Sequence, residues 1–108
     1  MTPARVVGLT NDLMDRSRIT AAIPGVAFAV EADADVVIVD LARGTEQVAR
    51  VRASAPGARI VCYGPHVDDA AAAAAGAAGA DLVLPRSRFF RDPAAALHRP
   101  PPGADRSA

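Results

Sequence analysis

Apolar residues along this chain fall in short runs that alternate with longer segments of helical character. That is the arrangement of a parallel sheet with helices on both faces. Arg5-Val6-Val7-Gly8-Leu9 forms the first run. It is β-branched and apolar on both sides, as a strand buried on both faces should be. Asn11 or Asp12 can cap a helix over 12–23, which stops at Pro24-Gly25. Val26 to Val30 reads as a second short strand, and Val36-Val37-Ile38-Val39 as a third, the most β-prone stretch of the chain. Gly44-Thr45 opens a helix that sets Val48, Val51 and Ala55 on one face and stops at Pro56-Gly57. Ile60-Val61-Cys62-Tyr63 is the fourth strand. Asp68 or Asp69 caps an alanine-rich helix that closes near Gly79, and Leu82-Val83-Leu84 is the fifth strand. Asp92-Pro93 begins a last short helix, with proline at its first position. Alanine favours helix but offers little apolar area, so the alanine-rich helix is expected to dock weakly.

These elements predict an α/β domain over 1–99 with a flavodoxin-like three-layer fold. Its sheet is mainly parallel and five-stranded, in the order 2-1-3-4-5, and its second helix is missing. Only Glu31-Ala32-Asp33-Ala34-Asp35 separate the second and third strands, whereas a parallel crossover takes about a dozen residues. Crossing diagonally past the first strand requires on the order of 18 Å, near the reach of five or six extended residues. Either the second strand is short and the link taut, or that edge of the sheet is rearranged. Both alternatives predict uncovered apolar sheet, and exposed apolar patches often mark protein contacts. A homodimer or a docked protein partner is therefore expected. From Pro100 the chain runs Pro-Pro-Pro-Gly-Ala-Asp-Arg-Ser-Ala, the composition of a disordered tail.

Composition narrows the chemistry. The 108 residues carry a net charge of +0, without the basic excess of a nucleic-acid binder. No apolar run approaches the roughly 18 residues of a membrane span, and the first residues lead straight into a strand with no leader layout. A lone Cys62 fits a reducing, cytoplasmic setting and reads as an inert core residue. All 12 basic residues are arginine. The absence of lysine removes a P-loop lysine, a Schiff-base lysine and a lysine general base. No nucleophile elbow, metal-spaced histidine pair or glycine-rich dinucleotide loop is present. The chain is not expected to be an enzyme.

Asp35-Val36-Val37-Ile38-Val39-Asp40-Leu41, Ile60-Val61-Cys62-Tyr63-Gly64-Pro65-His66 and Ala78-Gly79-Ala80-Asp81-Leu82-Val83-Leu84-Pro85 together resemble the third, fourth and fifth strand regions of response-regulator receiver domains. The resemblance covers about residues 4–98. Asp12-Leu13-Met14, Arg16-Ser17-Arg18-Ile19, Gly64-Pro65-His66-Val67-Asp68 and Leu84-Pro85-Arg86-Ser87-Arg88-Phe89 also resemble short receiver-like proteins of high-GC bacteria. The resemblance implies a signalling domain in which Asp40 holds the position of the phospho-accepting aspartate. It also exposes departures. Receivers carry two adjacent acids after the first strand, where Thr10 and Asn11 stand here, with Asp12 one place later. They carry Ser or Thr at the end of the fourth strand, where Gly64 stands, and Lys-Pro after the fifth, where Pro85-Arg86 stand.

Ligands of such sheets bind outside the carboxyl ends of the strands. That region collects Asn11, Asp12, Asp40, Gly64, His66, Arg86 and Ser87, with Arg18 on the first helix nearby. Asp40 reads as a phosphoryl acceptor or metal ligand, or as a capping carboxylate. With Asp12 it could hold Mg²⁺ weakly; no other cofactor is expected. His66 reads as a base paired with Asp40, or as a surface residue. Arg18, Arg86 and Ser87 read as an anion site, or the arginines as ion-pair partners of Asp12, Asp15 or Asp40. Phe89-Phe90 reads as packing. The reading favoured by these residues is a pseudo-receiver acting through protein contacts, along 68–98 or the second-strand edge. A phosphoryl acceptor using Asp40 and a small-anion or nucleotide-binding domain are the alternatives.

Overall fold

The computed structural model describes residues 4–29, 33–65 and 68–98. The tail from Pro100 and His66 lie outside the described residues. Four strands, β1 (Val6–Leu9), β2 (Val36–Asp40), β3 (Arg59–Gly64) and β4 (Leu82–Pro85), form one sheet in the order β1-β2-β3-β4. All pairs are parallel, with Val6 beside Val36, Asp40 beside Tyr63 and Gly64 beside Pro85. This register brings the carboxyl ends of the strands nearly level, which gathers their loops into one region.

Helices cover both faces. α2 (Glu46–Ser54) and α3 (Asp69–Ala78) lie on the face that carries Val7, Val37, Val39, Ile60 and Cys62. α1 (Leu13–Ala22), α4 (Arg86–Arg91) and a 3-10 turn at Pro93–Leu97 cover Val6, Val36, Ile38, Val61 and Tyr63 on the other. The alternation follows from the period of two along a strand. β2 and β3 are buried on both faces throughout, which explains their near-continuous apolar runs.

The expected second strand, whose last residue Val30 lies outside the described residues, is reduced among the described ones to a single bridge. Ala27 pairs with Val7, donating its N–H to Val6 O at 3.0 Å and accepting from Gly8 N at 2.7 Å. The segment does stand outside β1, where the order 2-1-3-4-5 places it, but the sheet has four strands rather than five. The short link is the cause. Asp35 and Val36 both donate to Arg5 O, at 2.9 and 3.1 Å, and Asp35 Oδ2 accepts from Arg5 N at 2.8 Å. The chain is thus pinned to the amino end of β1 before β2 starts, and only a brief contact is possible on the far side. Gly8 makes room for that contact: a Cβ there would stand 3.0 Å from the Phe28 ring.

The uncovered apolar sheet does not appear on β1. Val7 is 1% exposed, and the exposed large apolar residues among those described are Leu13 and Met14, in the first turn of α1. A second correction concerns the carboxyl-terminal helices. α4 begins at Arg86, directly after β4, and Asp92 then starts only a 3-10 turn. The residues Arg86-Ser87-Arg88-Phe89-Phe90-Arg91 lack an apolar period long enough to be seen in sequence, yet Phe89 is fully buried and anchors the turn. An additional turn lies ahead of α2. Leu41–Arg43 forms a 3-10 turn capped by Asp40, and Gly44 follows at φ 92°. The helix that Gly44-Thr45 opens then begins at Glu46 with Thr45 at its N-cap, as the sequence predicts.

Arg52 ties one end of the molecule together. Its guanidinium donates to Gly79 O at 2.8 Å, Pro56 O at 2.9 Å, Ala58 O at 2.7 Å and Asp81 Oδ2 at 2.8 Å. Asp81 Oδ2 also accepts from Ile60 N at 2.8 Å. Gly79 closes α3 at φ 124°, and any side chain there would collide with the Arg52 stem at 3.0 Å. The alanine-rich helix buries only Ala75 completely. Its end is therefore held by this polar clamp more than by apolar area. No helix among the described residues is long and apolar enough to cross a membrane.

Candidate functional site

The first part of the site is built at the ends of β1 and β2. Asp40 ends β2 and is 8% exposed. Its Oδ1 accepts from Ala42 N at 2.9 Å, capping the 3-10 turn, and its Oδ2 accepts from Thr10 Oγ1 at 3.0 Å. Thr10, itself buried, also accepts from Asp12 N at 3.2 Å. Asp12 is the N-cap of α1, with Oδ1 accepting from Asp15 N at 3.0 Å. Asp12 and Asp40 therefore both spend carboxylate oxygens on capping, and each is linked to Thr10. No group of three or more His, Cys, Asp or Glu side chains is arranged to hold a metal among the described residues. Asn11 is exposed beside Thr10, and Gly64 brings no hydroxyl to the end of β3.

The second part is centred on a residue that the sequence places only among several ion-pair candidates. Asp15 is fully buried on the inner face of α1, one turn before Ile19. Arg86 grips it with both terminal nitrogens: Nη1 donates to Oδ2 at 2.6 Å and Nη2 to Oδ1. Tyr63 Oη donates to the same Oδ2 at 3.0 Å. The Arg86 fork holds the Asp15 carboxyl below its usual range against the opposing pull of burial, and the Tyr63 hydrogen bond adds to the lowering. Burial in turn pushes the Tyr63 phenol up, reinforced by the Asp40 and Asp15 carboxylates, while its contact with Thr10 works the other way. The Cys62 thiol is pushed up to about 12 by burial, which agrees with an inert core role.

Aromatic rings complete this part. Tyr63 stacks on Phe89 at 4.8 Å between centroids, and Phe90 meets both edge-on, at 5.1 and 5.0 Å. Over Phe90 lie two guanidinium groups, Arg86 at 4.9 Å and Arg18 at 5.6 Å. The expectation that Phe89-Phe90 serves packing holds. Arg18, Arg86 and Ser87 do converge, lining one cleft with Pro65 and Phe90. Arg86 enters it already paired, as the ion-pair reading of the arginines has it. Asp15 and Tyr63 were not singled out by sequence as site residues. The available signal was an aspartate four residues before Ile19 and eight before Ile23, on the apolar face of the helix.

No protein-family model matches the chain, and no curated protein sequence does. Solved structures do match. A response regulator from Thermotoga maritima superposes with a TM-score of 0.69 at 18% identity, over 79% of this chain and 86% of that one. A CheY-like protein from Pseudomonas aeruginosa PAO1 gives 0.63 at 17%, over 79% and 88%. A response regulator protein from Burkholderia pseudomallei, solved with a phosphorylated aspartic acid, a calcium ion and citrate, gives 0.70 at 21%, over 90% and 67%. The chain has the receiver fold. Within that fold, the resemblance puts Asp40 at the phospho-acceptor position and Arg86 one place beyond the usual lysine. In this receiver-like domain Arg86 points its charge at Asp15 rather than at Asp40.

Proposed function

We propose that this receiver-like domain is a signalling or adaptor module that works through protein contacts and without aspartyl phosphorylation. The observation that carries the reading is the bidentate grip of Arg86 on buried Asp15. In receivers a basic group after the last strand meets the phosphoryl group. Here the basic group nearest that role is committed to another carboxylate in a geometry that a planar fork holds well. The capping bonds of Asp40 to Ala42 and Thr10 support the same reading, since both carboxylate oxygens already have partners. We assign the partner contacts to α3, β4 and α4, with a second copy of the chain as the first candidate partner. β4 is the outer strand of the sheet, and Leu82, Val83 and Leu84 are all only half-buried, which favours that surface.

Thermal stability with Mg²⁺ and beryllofluoride, a phosphoryl mimic, tests the proposal on wild type and Asp40→Asn. A ligand that binds only the folded state raises its stability. No shift in either protein is expected. A Mg²⁺-dependent rise in wild type that Asp40→Asn abolishes would make this a phosphoryl-accepting receiver. The position of Asp40 at the carboxyl end of β2, joined to Asp12 through Thr10, is the observation that favours this second reading.

A further inference from the structure

The cleft that gathers Arg18, Arg86 and Ser87 lies on the seam between α1 and α4, with Pro65 and Phe90 also in its lining and Asp40 outside it. It measures about 420 Å³. An adjoining cleft of about 480 Å³ shares Arg18 and Phe90 with it and continues over Ala21, Ala22 and Pro93. The groove therefore has a polar end and an apolar end, with Arg18 and Phe90 common to both. Its size suits a small organic molecule.

The charges in the groove are unequal. Arg86 is neutralised by Asp15, whose carboxylate sits beneath it. Arg18 makes no hydrogen bond and no ion pair among the described residues; its guanidinium lies over the Phe90 ring and acts on the Asp15 carboxylate only through space. Ser87 likewise lines the polar end with a hydroxyl that has no partner there. Two guanidinium groups face the single Asp15 carboxylate, so one positive charge is left over, and the unbonded Arg18 fork with one open hydroxyl suits a single oxyanion. The Phe90 ring orients the fork in advance, so less side-chain freedom is lost on binding. The methyl groups of Ala21 and Ala22 and the Pro93 ring offer apolar area but no polar group, so they suit the body of a ligand and not a second charge.

We infer that the α1–α4 groove binds a small amphiphilic anion, whose phosphate or carboxylate is taken by Arg18 and Ser87 and whose apolar body lies along Phe90, Ala21, Ala22 and Pro93. The site is separate from Asp40 and needs no metal. It goes beyond the protein-contact reading and stands or falls independently of it.

Phenyl phosphate, benzoate, benzyl alcohol and inorganic phosphate are titrated into the full chain and followed by amide chemical shifts. Saturable binding of phenyl phosphate or benzoate is expected, with shifts centred on Arg18, Ser87 and Phe90, and the stronger of the two identifies the oxyanion. Asp40→Asn should bind equally well. Arg18→Ala should lose roughly tenfold or more in affinity, the effect of one charge-assisted interaction. Arg18 is exposed, so the variant should fold, and Arg18→Gln serves as a second probe. Benzyl alcohol should not bind saturably. Failure of both aromatic anions to saturate would overturn the inference, as would unchanged binding in both Arg18 variants. Inorganic phosphate binding as tightly as phenyl phosphate would remove the apolar half of the site and overturn it too.

Discussion

Asp40 and Asp15 are both buried carboxylates near the carboxyl ends of the strands, 8% and 0% exposed, but their surroundings differ in kind. Asp40 is held by neutral donors, a threonine hydroxyl and a backbone N–H, at the mouth of the sheet. Asp15 is held by a guanidinium fork and a phenol, under a layer of aromatic rings. The first arrangement is a local cap with one neutral bond across to the end of β1, and it is modest in energy. The second joins α1, β3 and α4, elements far apart in the chain. The buried ion pair thus involves Asp15 and not Asp40, the position that the receiver resemblance points to. It serves to fasten the two helices of one face to the sheet.

The largest expected effect of breaking this contrast is at Asp15. Asp15→Ala leaves Arg86 and the buried Tyr63 hydroxyl without their acceptor. It should cost about 3 kcal/mol, the low end for a broken buried pair because Arg86 is 37% exposed. Urea unfolding measures it. A loss below that of Asp40→Ala would reverse the comparison.

Arg86→Ala should cost about 2 kcal/mol at neutral pH, since it leaves a buried carboxylate with only the Tyr63 hydroxyl. Its pH dependence is more telling. Arg86 lowers the Asp15 carboxyl in the folded state. The stability this confers is fully present above the unfolded value of about 3.9 and is lost as pH falls through it towards the lower folded value. In the variant, protonation instead relieves an unpaired buried charge. Unfolding midpoints of the two proteins should therefore converge as pH drops from 7 to about 3. A constant gap would mean that Asp15 does not sense Arg86.

Tyr63→Phe keeps the ring stack on Phe89 and removes one hydrogen bond, so a loss of about 1 kcal/mol is expected. Asp40→Asn should be the mildest change, within about 0.5 kcal/mol of wild type. Its amide oxygen can keep one of the two bonds that the carboxylate makes. A larger loss would show that the charge of Asp40 matters more than its role as a cap.

Most elements were legible because their signals are local. Val36–Asp40 and Arg59–Gly64 are buried on both faces, and their β-branched runs show it. Asp12 and Asp68 cap the helices that their positions predict, at 3.0 and 2.8 Å. α4 was not legible, because a six-residue helix with four polar positions has no readable period. The fate of the second strand was half legible: the five-residue link signalled a truncation, but the tether of Asp35 to Arg5 that enforces it joins residues far apart in sequence.

The sequence by itself determined the parallel α/β frame, the capping of its helices, the burial of Cys62 in a strand and the departures from the receiver residue pattern at Thr10, Asn11, Gly64 and Arg86. Each of these rests on residue type and spacing along a short segment. Only the tertiary structure decided which carboxylate Arg86 takes. Asp12, Asp15 and Asp40 are alike in sequence, and it is the helical turn that puts Asp15 inward, beneath α4, within reach of a fork 71 residues away. The same packing leaves the Arg18 fork without an ion pair and sets it with Ser87 along one cleft, so the groove on the α1–α4 seam exists only once both helices have docked on the aromatic layer.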